Sequence, residues 1–124
     1  MRKKREVERF ARWCFAKCNV PPCSIFYAPA DFLIADNGEG FGVYTWDNEN
    51  HEPGQIFIAY HLPKWGVMST VAHEIVHHKQ HMEHDLNTLD EAQCEEEAER
   101  VSSELVALWL IRGGKVKPEE DCTR

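Results

Sequence analysis

Residues 65–80 read W-G-V-M-S-T-V-A-H-E-I-V-H-H-K-Q, and the organisation of the whole chain follows from how that stretch is taken. Met68, Val71, Ala72, Ile75 and Val76 recur with the 3.6-residue period of an amphipathic helix, opened by Trp65-Gly66 with Ser69 or Thr70 contributing to its start. On such a helix His77 lies about 40° round from His73 and roughly 6 Å along the axis, so both imidazoles can converge on one ion. Glu74 falls about 100° from His73 and about 60° from His77, on the same side, whereas Val71 and Ile75 point the other way, toward a core. Two neutral nitrogen ligands with a carboxylate beside them form a donor set suited to hydrolytic zinc. With 7 histidines and 15 glutamates among 124 residues, chance produces H-E-x-x-H in about one composition-matched chain in twenty, so the surroundings must decide.

Upstream, four short β-prone runs precede the helix: Ser24 to Tyr27, Phe32 to Ala35, Phe41 to Trp46 and Gln55 to Ala59. Pro29, Asp36-Asn37-Gly38, Asp47-Asn48 and Pro53-Gly54 separate them as turns. Before these, Val7, Phe10, Cys14 and Cys18 stand at helical spacing from about Arg2 to Cys18, with Pro21 and Pro22 as the stop. Downstream, a polar break at about Asp85 to Thr88 leads into a long helix reaching Ile111. Its apolar stripe is Cys94, Ala98, Val101, Leu105 and Leu108, and Gly113-Gly114 ends it. Helix, small sheet and two helices make an α+β layout. It is expected to be a single domain over residues 1–124, with its core at about 5–114 and a polar tail at 115–124.

Composition closes off several alternatives. Hydrophobic residues at 43% and charged residues at 28% describe an ordinary globular chain. The longest apolar run, Leu105 to Ile111, is far short of the roughly twenty residues a bilayer crossing needs, so no membrane role is expected. Fourteen basic and twenty-one acidic residues leave a net charge of −7, which repels a phosphate backbone and argues against nucleic-acid partners. Arg2, Lys3, Lys4 and Arg5 read as a solvated helical turn, and no apolar core of a secretory signal follows them. Five cysteines, an odd number with no paired clusters, fit reduced thiols in a cytoplasm, with Cys14, Cys18 and Cys23 as small apolar residues and no structural zinc. A monomer is expected.

A tetrahedral catalytic site wants a third protein ligand, and the start of the long helix offers Glu91, Glu95, Glu96, Glu97 and Glu99. Glu96 points away from the core, while Glu95 and Glu97 flank the apolar stripe; periodicity leaves those two open. Glu95 is preferred because Ala98 and Ser102 share its line and allow a close approach to the histidine helix. Glu97 shares its line with Val101 and Leu108. His78, His81 and His84 are expected to be solvated. An alternative site of His77, His81 and His84 is open on an uninterrupted helix, but it leaves Glu74 without a role. Trp13, Trp46, Trp65 and Trp109 read as core or rim packing. Cys122, in the tail, could reach back toward an open metal position.

His73-Glu74-x-x-His77 followed by Glu95-x-x-Ala98 resembles the gluzincin zinc metallopeptidases. The likeness is to the smallest of them, the minigluzincins and the related peptidases that cleave phage-type repressors. The resemblance covers about Trp65 to Ile111 and the strand before them, and it implies a minimal zincin-like fold with a small, mostly antiparallel sheet. It further implies one Zn2+ held by His73, His77 and Glu95, with Glu74 as general base. Glu99 takes the position after the alanine, which in that family carries a partner of a ligating histidine and is usually Asp or Asn. In such enzymes the strand before the H-E-x-x-H helix, here Gln55 to Tyr60, forms a cleft rim to which a peptide adds as an extra strand. The implied reaction hydrolyses a peptide or protein substrate by a metal-activated water, and its oxyanion needs a second donor, for which Tyr60, His61 and His51 are candidates. A catalytically weak peptide-capture or sensor module on the same fold is the alternative, and adventitious metal binding by a stable domain is a third possibility.

Overall fold

The computed structural model describes residues 2–28, 41–46, 53–59, 61–84 and 90–112. Helix α1 (Arg2–Cys18) buries Val7, Phe10, Ala11, Cys14, Phe15 and Cys18 along one face, as the spacing predicts. Its stop comes before the prolines. Asn19 adopts φ 58°, and two backbone bonds, Asn19 N–H to Ala16 O (3.1 Å) and Val20 N–H to Phe15 O (3.1 Å), close a left-handed cap.

Strands β1 (Ser24–Ala28), β2 (Gly42–Thr45) and β3 (Gln55–Ala59) form a sheet in the order β1-β3-β2. The expectation of a mostly antiparallel sheet needs correction. β1 and β3 pair in parallel, with Ser24 opposite Gln55 and Ala28 opposite Ala59. β2 pairs antiparallel to β3, with Gly42 opposite Ile58 and Thr45 opposite Gln55. The cause is topological: β2 goes to the far edge and β3 returns between the two earlier strands, running with β1 and against β2. Alternation along the strands turns Ile56, Ile58 and Tyr44 into the core, while Phe26 and Phe57 stack on the other face at 5.3 Å. The run from Phe32 to Ala35 lies outside the described residues.

Helix α2 (Lys64–Glu83) carries the H-E-x-x-H motif. It starts behind Pro63, in extended conformation and without a side-chain cap, so neither Ser69 nor Thr70 opens it; the Thr70 hydroxyl instead donates to Gly66 O at 2.8 Å. α2 packs against α1, β2, β3 and the last helix, α3 (Glu91–Arg112), so its burial extends well beyond one stripe. His78 and His81, expected in solvent, are buried for this reason, whereas His84 is exposed at the helix end. Asp90 caps α3 through Oδ1, which accepts from Ala92 N–H (2.9 Å) and Gln93 N–H (3.4 Å).

Along α3 the buried line is Ala98, Ser102, Leu105 and Trp109, so Leu108, placed on the stripe by periodicity, is exposed and Trp109 takes its place. The helix is rotated by its aromatic partners on α1: Trp109 meets Phe10 edge-on and Trp13 at a tilt, both at 5.5 Å between ring centres. Trp13 is half-buried in this packing, while Trp46 and Trp65 are exposed. Cys14 and Cys18 are core residues, as their reading as small apolar groups requires. Three helices and a three-strand mixed sheet make the α+β class expected of a small zincin-like domain. No helix among the described residues is long and apolar enough to cross a membrane.

Candidate metal centre

The helical pitch of α2 brings His73 and His77 onto one side with their rings 4.9 Å apart, and α3, running alongside, delivers Glu95 to the same point. His73 Nε2 lies 3.1 Å from Glu95 Oε1, His77 Nε2 lies 3.0 Å from Glu95 Oε2, and the two Nε2 atoms are 3.2 Å apart. Among the described residues this is the one His/Cys/Asp/Glu group whose donor atoms gather closely enough for a metal ion. A tetrahedral shell with bonds of 2.0–2.2 Å has edges of roughly 3.3–3.6 Å, so these donors stand within a few tenths of an ångström of the zinc geometry. Both histidines are largely shielded while the Glu95 side chain is 55% exposed, so the centre opens toward solvent on the α3 side.

Ala98 and Ser102, both buried, allow the close approach of α3 that the choice of Glu95 requires. Glu97, the open alternative, goes elsewhere: its Oε1 accepts from the Gln80 amide at 2.8 Å. Glu96 pairs with Arg100 at the surface. Glu99 sits on the far side of His73, with Oε2 at 3.6 Å from Nδ1, and its side chain is 75% exposed.

Glu74 is 7% exposed and lines, with His73, a solvent-open cavity of about 210 Å³ whose wall includes Phe41, Gly42, Thr70, Glu99 and Ser102. Gly42 is needed here. A Cβ at that position would come 2.5 Å from Thr70 Cγ2 and 3.4 Å from Glu74 Oε2, so only a bare backbone lets β2 lie this close to the motif. His61 is exposed in the turn before α2 and does not join the cluster. Tyr60, His51 and Cys122 lie outside the described residues.

The three-histidine alternative is overturned. His81 Nδ1 is bound at 2.7 Å to the Tyr44 hydroxyl, neither His81 nor His84 joins the His73/His77/Glu95 group, and His84 is at the exposed end of α2. The same Tyr44 oxygen meets His78 Nδ1 at 2.9 Å and the Gly54 N–H at 3.0 Å, while His78 Nε2–H donates to Pro21 O at 2.7 Å. These contacts fix every proton. With Nε2 protonated, neutral His78 accepts at Nδ1 from the Tyr44 hydroxyl, and His81 Nδ1–H and Gly54 N–H both donate to the Tyr44 oxygen. Burial holds His78 below its ordinary pKa, with the Pro21 carbonyl pulling the other way.

The peptide-binding rim also needs correction. β3 is the central strand, with its backbone committed to β1 on one side and β2 on the other, so Gln55 to Ala59 cannot take a further strand. The edge beside the motif is β2, whose outer side pairs with no strand among the described residues.

Two histidines and a glutamate converging from packed helices, with an acid at their side and a sheet edge alongside, define a metallopeptidase-like domain of the zincin type. Residues 33–107 match the IrrE N-terminal-like domain of the Peptidase_M78 family, and the chain belongs to that family. This is the minigluzincin group of repressor-cleaving peptidases that the two motifs resemble. Comparison with curated proteins and with solved structures gave no significant match.

Proposed function

We propose that the chain is a zinc-dependent endopeptidase of the cytoplasm that hydrolyses an extended peptide, or an exposed protein segment, laid along β2. The observation that supports it most is the mutual approach of His73 Nε2, His77 Nε2 and the Glu95 carboxylate to 3.0–3.2 Å beside Glu74. Zinc, when bound there, supplies an acidified water with a pKa near about 7 and polarises the scissile carbonyl.

The chain's own residues do the rest. His73 and His77 would hold the ion, with Glu95 completing the set from α3. The Glu74 carboxylate, screened from bulk water, accepts the proton of the attacking water and returns it to the leaving amine. Glu99 steadies the far nitrogen of His73. Backbone pairing along the edge of β2 binds the substrate with little demand on its side chains, and Gly42 carries it past Glu74. Thr70, Ser102 and Glu99 give the adjoining cavity a polar lining suited to a small or polar substrate side chain. Neither nucleic acid nor a membrane has a part in this scheme, in keeping with the net charge of −7.

The decisive comparison is Glu74→Gln against the unmodified chain, with metal content and peptide cleavage measured on the same untagged preparations. The variant should retain one zinc per chain and lose at least about 100-fold in kcat/KM, whereas Glu95→Ala should lose stoichiometric zinc. Equal behaviour of Glu74→Gln and the parent on every peptide would instead identify a zinc-bearing capture or sensor module.

A further inference from the structure

His77 turns Nε2 toward the metal cluster, and its other ring nitrogen, Nδ1, lies 2.8 Å from Gln80 Oε1, one helical turn further along α2. Gln80 is 4% exposed, and its amide nitrogen makes two further contacts, with Cys94 O at 3.1 Å and Glu97 Oε1 at 2.8 Å. A main-chain carbonyl and a carboxylate only accept hydrogen bonds, so both must face the NH2 end of the amide. Rotating the amide by 180° would set its oxygen against two acceptors and its NH2 against the ring. The chemistry of its partners therefore determines the orientation of the amide. With Oε1 fixed toward the ring, His77 must carry its proton on Nδ1, and the neutral imidazole is bare at Nε2, the atom that faces Glu95 and His73.

We infer that Gln80, clamped by Glu97 and the Cys94 carbonyl, is the positioning residue that sets the tautomer and ring plane of His77 for metal binding. This deepens the metallopeptidase reading and rests on it for the role of His77. The arrangement also explains what Glu97 does: Glu95 and Glu97 reach α2 from the two flanks of the α3 stripe, one meeting the ligand face and the other the residue behind His77. The lateral spacing of the two helices is thus braced two residues from the ligand it must deliver. The donor to Gln80 Oε1 is the ring itself, so the interaction orders a ligand without supplying one.

The test begins with full-length, metal-free protein labelled with 15N in histidine, at a pH where the rings are neutral. Long-range 1H–15N correlations should show His77 with a protonated Nδ1 and a bare Nε2. Gln80→Leu should release it toward the Nε2–H form and weaken zinc binding, read by chelator competition, by about 10–100-fold. Gln80→Glu paired with Glu97→Gln, which keeps an acceptor for Nδ1–H and lets the new amide at 97 donate to the second carboxylate oxygen, should restore the tautomer. Glu97→Ala, which leaves the Cys94 carbonyl as sole anchor, gives an intermediate loss and covers the case in which Gln80→Leu fails to fold. An Nε2–H tautomer in the parent protein would overturn the inference, as would a folded Gln80→Leu variant with zinc affinity within twofold of the parent. The tautomer is read without metal. If the parent binds no stoichiometric zinc while His77 shows the expected tautomer, the failure belongs to the metallopeptidase reading and not to the orienting role of Gln80.

Discussion

Tyr44→Phe removes one oxygen atom and nothing else, and the structure fixes what that oxygen does. It receives His81 Nδ1–H at 2.7 Å and Gly54 N–H at 3.0 Å and gives its proton to His78 Nδ1 at 2.9 Å, joining β2 to the C-terminal half of α2. The phenylalanine ring would keep the aromatic contacts with His78, His81 and Trp46, so the packing contribution is close to zero. Each of the two buried imidazoles loses the phenol as a partner at Nδ1, at about 1–3 kcal/mol, while Gly54, at the partly exposed end, recovers a water. The expected loss is about 2–6 kcal/mol, or roughly 8–24 °C in Tm for a chain of this length. Urea unfolding of chelator-treated protein at pH 8, where the imidazoles are neutral, isolates the effect from metal binding, and the midpoint should fall with no change in slope. A change below about 0.5 kcal/mol would mean that water or a rotated ring satisfies both histidines as well as the phenol does, and the proton assignment above would be wrong.

Two further outcomes follow from the same structure. Gly42→Ala places a methyl group 2.5 Å from Thr70 Cγ2, whose rotamer is held by the hydroxyl's bond to Gly66 O, so β2 must move off α2. The expected loss is about 1–3 kcal/mol in stability, with a rise in KM for extended peptides at unchanged zinc content; an unaltered KM would remove β2 as the binding rim. The protein should also weaken in alkali. Burial raises the Cys14, Cys18 and Cys23 thiols above their ordinary value of 9.0, Cys23 to about 12, and burial likewise pushes the Tyr44 phenol up to about 12. The unfolded chain releases these protons first and the folded chain keeps them. Stability is therefore complete below about pH 9 and declines above it, by up to about 1.4 kcal/mol per pH unit for each thiol. Urea midpoints that stay level between pH 8 and 10.5 in the presence of reductant would contradict the burial of these groups.

The clustering of His73, His77 and Glu95 was legible because it rests on local geometry: the two histidines are one turn apart, and Ala98 and Ser102 mark where α3 can approach and so single out Glu95. What could not be read depends on partners far along the chain. Periodicity assigns a polar residue to solvent, and nothing near His78 or His81 announces that Tyr44, more than thirty residues away, will meet both. The rim was misplaced for a related reason. The strand runs show where strands form but not their order, and only the order β1-β3-β2 turns Gln55 to Ala59 from an edge into a centre. Gln80 carried a weak signal, an amide three residues after a histidine on one helix, but its anchors are on α3 and no spacing rule reaches them. Leu108 and Trp109 show the same limit at one residue's resolution, since the aromatic pair on α1 decides which of them turns inward.

The clasp of Trp109 against Phe10 and Trp13 has a bearing on biosynthesis. Helix α1 finds its aromatic partner only after nearly a hundred further residues have been translated, and Glu95 emerges only shortly before that partner. A nascent chain therefore carries the histidine pair without its carboxylate and the apolar face of α1 without its cover. On the proposed function, competence to cleave should arise only after translation has passed α3.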